Sequence, residues 1–428
     1  MASEVGHMKN GQERRVFRTF QYFKFCAYGF LKNLRFFDAF IILILREVGF
    51  SYFQIGTLYS IREISKNLFE IPSGIVADSY GRKNAMVFSF SSYLISFLIF
   101  YFSTSYLLFA LAMILFGMGE AFRSGTHKAM ILSYLERNNL LHLKTQFYGR
   151  TRSWSQMGSA LSSLLAIGII LWGKQYRLLF LISALPYFLD LLNLISYPSY
   201  LNRSVNAQTH LQKEGGLLRR LSEVLKSYFK QFAKLEYWRQ FFSAASYGGF
   251  FKALKDYFQP MLKALAMQLP IFLFLSQKDR TSILVGLTYF LLYLFTSYSS
   301  RNAYRFESRF KNLAKAIDGA YLIGIVLTLF AGIALSVGWA LLAAFLFVGL
   351  YLVRNIRRPL IVSYLSETLP SDIMASGLST MSQLETLIVV VISPVIGWLV
   401  DWLGLGWGIG LISVVFLAFY PVARLHRK

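Results

Sequence analysis

Runs of about 20 apolar residues alternate with short polar intervals along the chain, and each run is long enough to cross a hydrocarbon core of roughly 30 Å as a helix. Twelve such runs are read, centred near Phe36, Leu68, Leu94, Phe116, Leu164, Leu189, Phe250, Phe290, Ile325, Phe345, Val390 and Val415. Charge interrupts spans one, two and seven. The longest polar interval, residues 198–237, divides the spans six and six. Inside it Leu217, Leu218, Leu221, Val224, Leu225 and Phe229 interleave with Arg219, Arg220, Lys226 and Lys230, the pattern of a basic amphipathic helix lying on the cytoplasmic leaflet. The pattern predicts an all-α membrane protein of twelve transmembrane helices. It has an N-terminal tail over 1–20, a six-helix bundle over 21–197, a cytoplasmic linker over 198–237 and a second six-helix bundle over 238–428. Residues 1–7 end in Gly-His before Met8 and read as an artificial extension, outside the fold.

Composition agrees with this class, since 55% apolar and 17% aromatic residues exceed the roughly 45–50% apolar share of soluble domains. A net charge of +23 would suggest nucleic acid as a partner if the chain were soluble. The bases fall instead between apolar runs, at Arg14, Arg15, Arg18 and Lys24, then Arg137, Lys144 and Arg150, then Arg301, Arg305, Arg309 and Lys311, then Arg354, Arg357 and Arg358, and finally Arg424, Arg427 and Lys428. These intervals alternate to one face, which the bias of short basic loops makes cytoplasmic, with both termini on that side. Membrane lipid is the expected surface partner, not nucleic acid. The single cysteine, Cys26, excludes an internal disulfide and a cysteine metal cluster. The five histidines lack H-x-x-x-H spacing, and neither a nucleophile elbow nor a phosphate-binding loop occurs. No metal, cofactor or enzymatic activity is expected, nor ATP-driven transport by this chain alone, and the protein is read as a monomer.

Ionisable side chains inside the spans carry the chemistry, because each costs about 2.5–3.5 kcal/mol at a helix centre on the insertion scale. At 100° per residue Tyr59, Arg62, Glu63, Lys66 and Glu70 share one arc of the second span. Glu120, Arg123 and His127 share an arc of the fourth, with Lys128 to one side; Gly248, Lys252, Lys255, Asp256 and Gln259 share one of the seventh. The first span adds Lys32, Arg35 and Asp38, and the eleventh adds Glu385. The bases Lys32, Arg35, Arg62, Lys66, Arg123, Lys128, Lys252 and Lys255 outnumber the acids Asp38, Glu63, Glu70, Glu120, Asp256 and Glu385. A basic surplus out of water favours an anionic or zwitterionic solute, whose charge offsets the desolvation of the bases. Two other readings stay open. Pairs one turn apart, such as Lys66 with Glu70, could be ion pairs that join helices. A proton-coupled exporter of lipophilic cations would need a titrating carboxylate, for which Asp38, Glu63, Glu120 and Glu385 are the candidates. A lipid-modifying enzyme would require a nucleophile with its base, and only isolated Ser and His residues occur.

Residues 74–83, Gly-Ile-Val-Ala-Asp-Ser-Tyr-Gly-Arg-Lys, join the end of the second span to the third. Gly74 removes a side chain where helices could approach, Gly81 permits a sharp turn, and Arg82 and Lys83 would anchor in the headgroup layer. The pattern resembles the signature between the second and third helices of the major facilitator superfamily. That resemblance implies a secondary transporter in a bacterial inner membrane, moving a small molecule by alternating access of two six-helix bundles. It also implies that Asp78 latches against the start of the eleventh helix, here near Ser371–Ala375, and that spans one, two, four, five, seven, eight, ten and eleven line the central cavity. Coupling to protons is compatible with it. The equivalent place in the second half, Ser300–Arg305, lacks the aspartate and both glycines, so any latch there is expected to be weaker. The stretch Glu120–Met130 resembles a segment of poorly characterised bacterial facilitator proteins in which a Ser-Gly-Thr triplet, here Ser124, Gly125 and Thr126, breaks the fourth helix. Arg150 and Arg152 are placed near the inner mouth.

Overall fold

The computed structural model describes residues 16–202, 235–369 and 374–425. The predicted amphipathic helix of the linker and the start of the eleventh span at Ser371 lie outside the described residues. Within them the chain is helical, without a strand: α1 Phe20–Leu31, α2 Ile41–Val48, α3 Tyr52–Tyr80, α4 Arg82–Phe102, α5 Tyr106–Arg123, α6 Thr126–Arg137, α7 Lys144–Gly173 and α8 Leu178–Ile195. There follow α9 Leu235–Leu254, α10 Phe258–Gln268, α11 Gln277–Arg301, α12 Ala303–Glu307, α13 Leu313–Ser336, α14 Ala340–Thr368, α15 Met374–Leu403, α16 Leu405–Ala418 and α17 Tyr420–Ala423. Among the described residues 8 helical stretches are long and apolar enough to cross a membrane. The charge-interrupted spans one, two and seven are not among them.

Two of those spans are broken helices. The first was centred on Phe36, but residues between α1 and α2 form turns, so Phe36 lies in no helix. One local and one remote side chain replace the helical ladder there: Asn33 Nδ2 donates to the Gly29 carbonyl at 2.6 Å, and the Phe36 N–H donates to Ser183 Oγ at 3.0 Å. The seventh passes from α9 through a short 3-10 turn at Lys255–Tyr257 into α10. The fourth breaks at Ser124–Gly125, as the triplet suggests, with Gly125 in the left-handed region at φ +76°.

The chain divides into two compact units, one comprising Met1–Phe36, Ser65–Leu165 and Arg177–Leu221, the other Phe37–Ile64, Ala166–Tyr176 and Ser222–Lys428. In the first, Phe25, Phe90, Phe97, Phe100 and Phe109 are fully buried. Lipid offers no hydrophobic drive between helices, so small residues and serine hydroxyls make the joints. Ser89 and Ser96 on α4 donate to the carbonyls of Gly119 and Ala112 on α5 at 2.6 and 2.9 Å. Ser65 and Ser73 on α3 reach the carbonyls of Ile114 and Ala121 at 2.8 and 3.1 Å. A β-carbon on Gly158 of α7 would come within 2.5 Å of the Phe30 carbonyl oxygen. Arg177 donates to the carbonyls of Tyr101 and Ser103, closing the C-terminal end of α4.

In the second unit α13 and α16 meet through glycine: a β-carbon on Gly332 would lie 2.7 Å from the Gly406 carbonyl oxygen and from the Gly410 nitrogen. Gly56 and Gly397 let α3 and α15 touch backbone to backbone, against Ser393 and Tyr52 respectively. Beside this contact the Asp401 carboxylate caps α3, accepting from the Tyr52 and Phe53 N–H groups at 3.0 and 2.7 Å. Arg354 and Arg357, taken from the sequence as bases ending the tenth span, sit inside α14 instead. Arg357 is buried, donating to the Ser243 carbonyl and hydroxyl at 2.8 and 3.0 Å and lying over the Tyr247 ring at 5.0 Å. Its delocalised charge is satisfied by carbonyl and ring, which is why it tolerates helix depth. Large apolar side chains such as Trp172, Phe345 and Trp402 stand outward and exposed, as an acyl-chain environment requires.

Candidate functional site

The first unit holds a cavity of about 230 Å³ lined by Tyr28, Lys32, Lys66, Glu120, Arg123, Ser124, Gly125, His127 and Lys128. Four bases face one acid across it. The break at Gly125 builds this wall: α5 ends at Arg123 and α6 starts at Thr126, so the first N–H groups of α6 open beside the cavity with no side-chain cap. They add partial positive charge to the same place. Arg123 is held by its Nε donating to Tyr93 Oη at 3.1 Å. His127 stacks on Tyr28 with ring centroids 3.5 Å apart, and its Nε2 is 3.2 Å from Tyr197 Oη. Lys32 Nζ lies over the Tyr28 ring, 5.0 Å from its centre. Glu120 is drawn toward Arg35 at 3.9 Å, and Arg35 covers Phe116 at 5.7 Å.

Thus Lys32, Lys66, Glu120, Arg123 and His127 gather on one cavity, with Arg35 adjoining through Glu120. Lys128 lines it too, and Glu70 lies in the same unit but outside the lining; Asp38, Tyr59, Arg62, Glu63, Lys252, Lys255, Asp256, Gln259 and Glu385 belong to the second unit, where several acids and bases are paired. Arg62 donates to Glu63 at 2.9 Å and lies over Tyr59 at 5.1 Å. Thr386 Oγ1 donates to the other oxygen of Glu63 at 3.4 Å. Lys255 meets Asp256 at 2.7 Å. Glu385 bridges Arg354 at 3.3 Å and Lys252 at 3.8 Å. Gly248 is needed there, because a β-carbon would collide with the Glu385 carboxylate. Gln259 accepts from the Ile42 N–H at 2.8 Å and donates to the Asp38 carbonyl at 3.1 Å, which ties α10 to the start of α2.

The decapeptide forms the last turn of α3 and the first of α4. Gly81 takes φ +105°, the sharp turn expected of it. Gly74 has open space around its missing side chain, so it does not serve close helix contact. Arg82 donates to the Ala129 carbonyl and to Ser133 Oγ at 3.2 and 2.7 Å, and Lys83 Nζ to the Tyr197 carbonyl at 3.0 Å, so both tie helices of the first unit together. Asp78 is exposed on its turn, and its expected partner segment at Ser371 lies outside the described residues.

Sequence reasoning missed Asp190, Arg354 and the two tyrosines Tyr28 and Tyr93. A signal existed for Asp190, which is the sole acid of the apolar helix Leu178–Ile195 and is fully buried. The tyrosines, two among 26, had none.

The comparisons with known proteins agree with this architecture. The chain is 27% identical over 346 residues to an uncharacterised MFS-type transporter, YxaM, of Bacillus subtilis (strain 168), covering 77% of this chain and 76% of that protein. Its fold is similar to that of the nucleoside transporter NupG, with TM-score 0.72, 14% identity and coverage of 95% and 100% of the two chains. A D-xylose-proton symporter aligns with TM-score 0.60 at 14% identity, covering 93% of this chain and 95% of the other. A bacterial homologue of the lysosomal transporter Spinster aligns at 0.67 and 14%, covering 96% and 99%. The family model of the major facilitator superfamily matches residues 25–387. With its helical architecture, this match shows that the chain belongs to the major facilitator superfamily and is a multi-pass membrane transporter.

Proposed function

We propose that the protein is a secondary transporter that moves a small organic anion or zwitterion across a bacterial inner membrane by alternating access. In this reading twelve spans form two six-helix halves with both termini cytoplasmic. The observation that carries the solute class is the cavity at the α5–α6 break, where Lys32, Lys66, Arg123 and Lys128 face Glu120. Lys32, Lys66 and Arg123 are partly withdrawn from water, and an anion's charge offsets the cost of that desolvation. Size supports a small metabolite, since about 230 Å³ is below the roughly 300–1,000 Å³ of drug-sized sites. The export of bulky lipophilic cations has less support. Its candidate carboxylates Glu63 and Glu385, like Asp256, each have a basic partner within 4 Å.

The test is thermal stability of the purified protein against a panel of phosphorylated and carboxylated metabolites, alongside lipophilic cations. A ligand at 100 times its Kd adds about 2.7 kcal/mol whatever its identity. Anions are expected to raise Tm, and Lys66→Gln and Arg123→Gln to abolish that rise. Stabilisation by cations alone, or by anions undiminished in both variants, would remove the reading.

A further inference from the structure

On the wall of the first unit's cavity stand donors that no other described residue engages. Tyr28, from α1, lines the cavity and is 3% exposed, and its hydroxyl has no hydrogen-bond partner among the described residues. Arg123, the last residue of α5, turns Nε to Tyr93 Oη at 3.1 Å, while its two terminal nitrogens bond to no described residue and pair with no described carboxylate. Lys32, just past α1, holds its ammonium over the Tyr28 ring at 5.0 Å, likewise without an ion pair among the described residues. Lys128 joins them from the first turn of α6, where the N–H groups that follow Gly125 open on the same space without a side-chain cap. Lys66 and Glu120 complete the charged lining, and Glu120 is drawn toward Arg35 at 3.9 Å.

This donor set is larger than a carboxylate can satisfy. An ionised carboxyl has two oxygens with about four lone-pair sites, and its single charge leaves most of the surplus unmatched. A phosphate monoester carries about 1.5–2 negative charges at pH 7 and three acceptor oxygens. A planar guanidinium with both terminal nitrogens open takes two of those oxygens at once, and the start of a helix offers N–H groups that need an acceptor. We propose that this wall is a phosphoryl clamp for the dianionic head of a phosphate monoester. Arg123 is its fork, Lys32 and Lys128 are its point charges, and Tyr28 Oη with the first N–H groups of α6 serves the remaining oxygen. The inference narrows the anion-carrier reading above and rests on it.

Thermal-shift titrations of the purified full-length protein with monomethyl phosphate, methyl sulfate and acetate vary the charged head and leave the methyl group constant. At about pH 8 the first carries close to two charges and the others one each. Monomethyl phosphate is expected to bind about tenfold or more tighter than either. Methyl sulfate or acetate binding as tightly as monomethyl phosphate overturns the clamp and leaves the anion carrier standing; binding of none of the three counts against both. Glycerol 3-phosphate and lysophosphatidic acid carry the same head on a soluble and on a lipid remainder. Competition by the first assigns a soluble ester and by the second alone a lipid, each in support of the clamp, and competition by neither overturns it. Arg123→Lys keeps the charge and removes the fork, and Tyr28→Phe removes the hydroxyl and keeps the ring. Each is expected to lower the preference for monomethyl phosphate over acetate by about threefold or more, whereas a merely structural role would weaken all three anions alike. A preference unchanged in both variants overturns the assignment.

Discussion

Two glycines beside the charged clusters make opposite demands. Gly125 has a φ of +76° and no atom within 4 Å of where a β-carbon would stand, so a side chain there meets backbone strain alone. Left-handed backbone costs an L-residue roughly 1–2 kcal/mol. Gly125→Ala is expected to fold, with Tm lowered by a few degrees in detergent, and to keep the cavity's bases in place. Gly248 has ordinary backbone, but its side-chain space is filled by the carboxylate that bridges Lys252 and Arg354. Gly248→Ala is therefore expected to depress transport in proteoliposomes more than it depresses Tm, because it displaces Glu385 from its partners. For Arg357→Met the order reverses. The Ser243 carbonyl and hydroxyl lose a charged donor; the carbonyl keeps Ser246 Oγ at 3.3 Å, and leaving the hydroxyl buried without the guanidinium costs about 1–3 kcal/mol. A clear fall in Tm is expected; an unchanged melt would show that the guanidinium is not what satisfies the hydroxyl.

Helices behave here according to what their own side chains allow. The sequence marks spans one, two and seven as charge-interrupted, and two of these three are broken helices in the structure. In the first span apolar runs alone could not show where, because hydrogen bonds from remote residues hold the interrupted backbone: Ser183 for Phe36, Gln259 for Ile42. The break at Gly125 was legible because Ser-Gly-Thr carries its own reason. Misreading Arg354 and Arg357 as loop bases has the same origin as missing Asp190. Charge counting sees residue type, whereas depth along a helix of 29 residues depends on where the helix begins. The Asp401 cap on α3 is of this long-range kind. Removing a cap costs roughly 0.5–2 kcal/mol, so Asp401→Ala should speed hydrogen exchange at the first amides of α3 beyond Phe53. Gly397→Ala should do so more strongly, since it wedges the backbone contact itself. Equal protection in wild type and both variants would mean that the start of α3 is held by something else.

At the scale of the molecule, class and family are written in the alternation of apolar runs with basic intervals and in the decapeptide at 74–83. The grouping of candidates is not. The arc in α3 holds Arg62 and Glu63 beside Lys66, and nothing in helical periodicity says that the first two turn to an ion pair while Lys66 lines a cavity. Periodicity resolves direction around a helix axis; partners depend on packing with helices distant in sequence. The same distinction grades the bases of the cavity. Lys128 is exposed and Arg123 is half-buried and fixed by Tyr93. Exposed charges are screened by water and salt, so Lys128→Gln is expected to weaken anion affinity less than Arg123→Gln at physiological ionic strength. Titration of each variant with the same anion checks the order.

The serine bridges from α4 to α5 have a bearing on motion. Water is scarce at membrane depth, so a hydroxyl that lets go of the neighbouring helix has only carbonyls of its own helix to turn to, and Ser89, Ser96 and the Tyr93–Arg123 link would have to let go together for these helices to part. The two therefore travel as one plank through the transport cycle. Spin labels on their lipid-facing sides should keep a single, fixed separation whether or not solute is bound, which makes this pair the natural reference frame for measuring what else in the carrier moves.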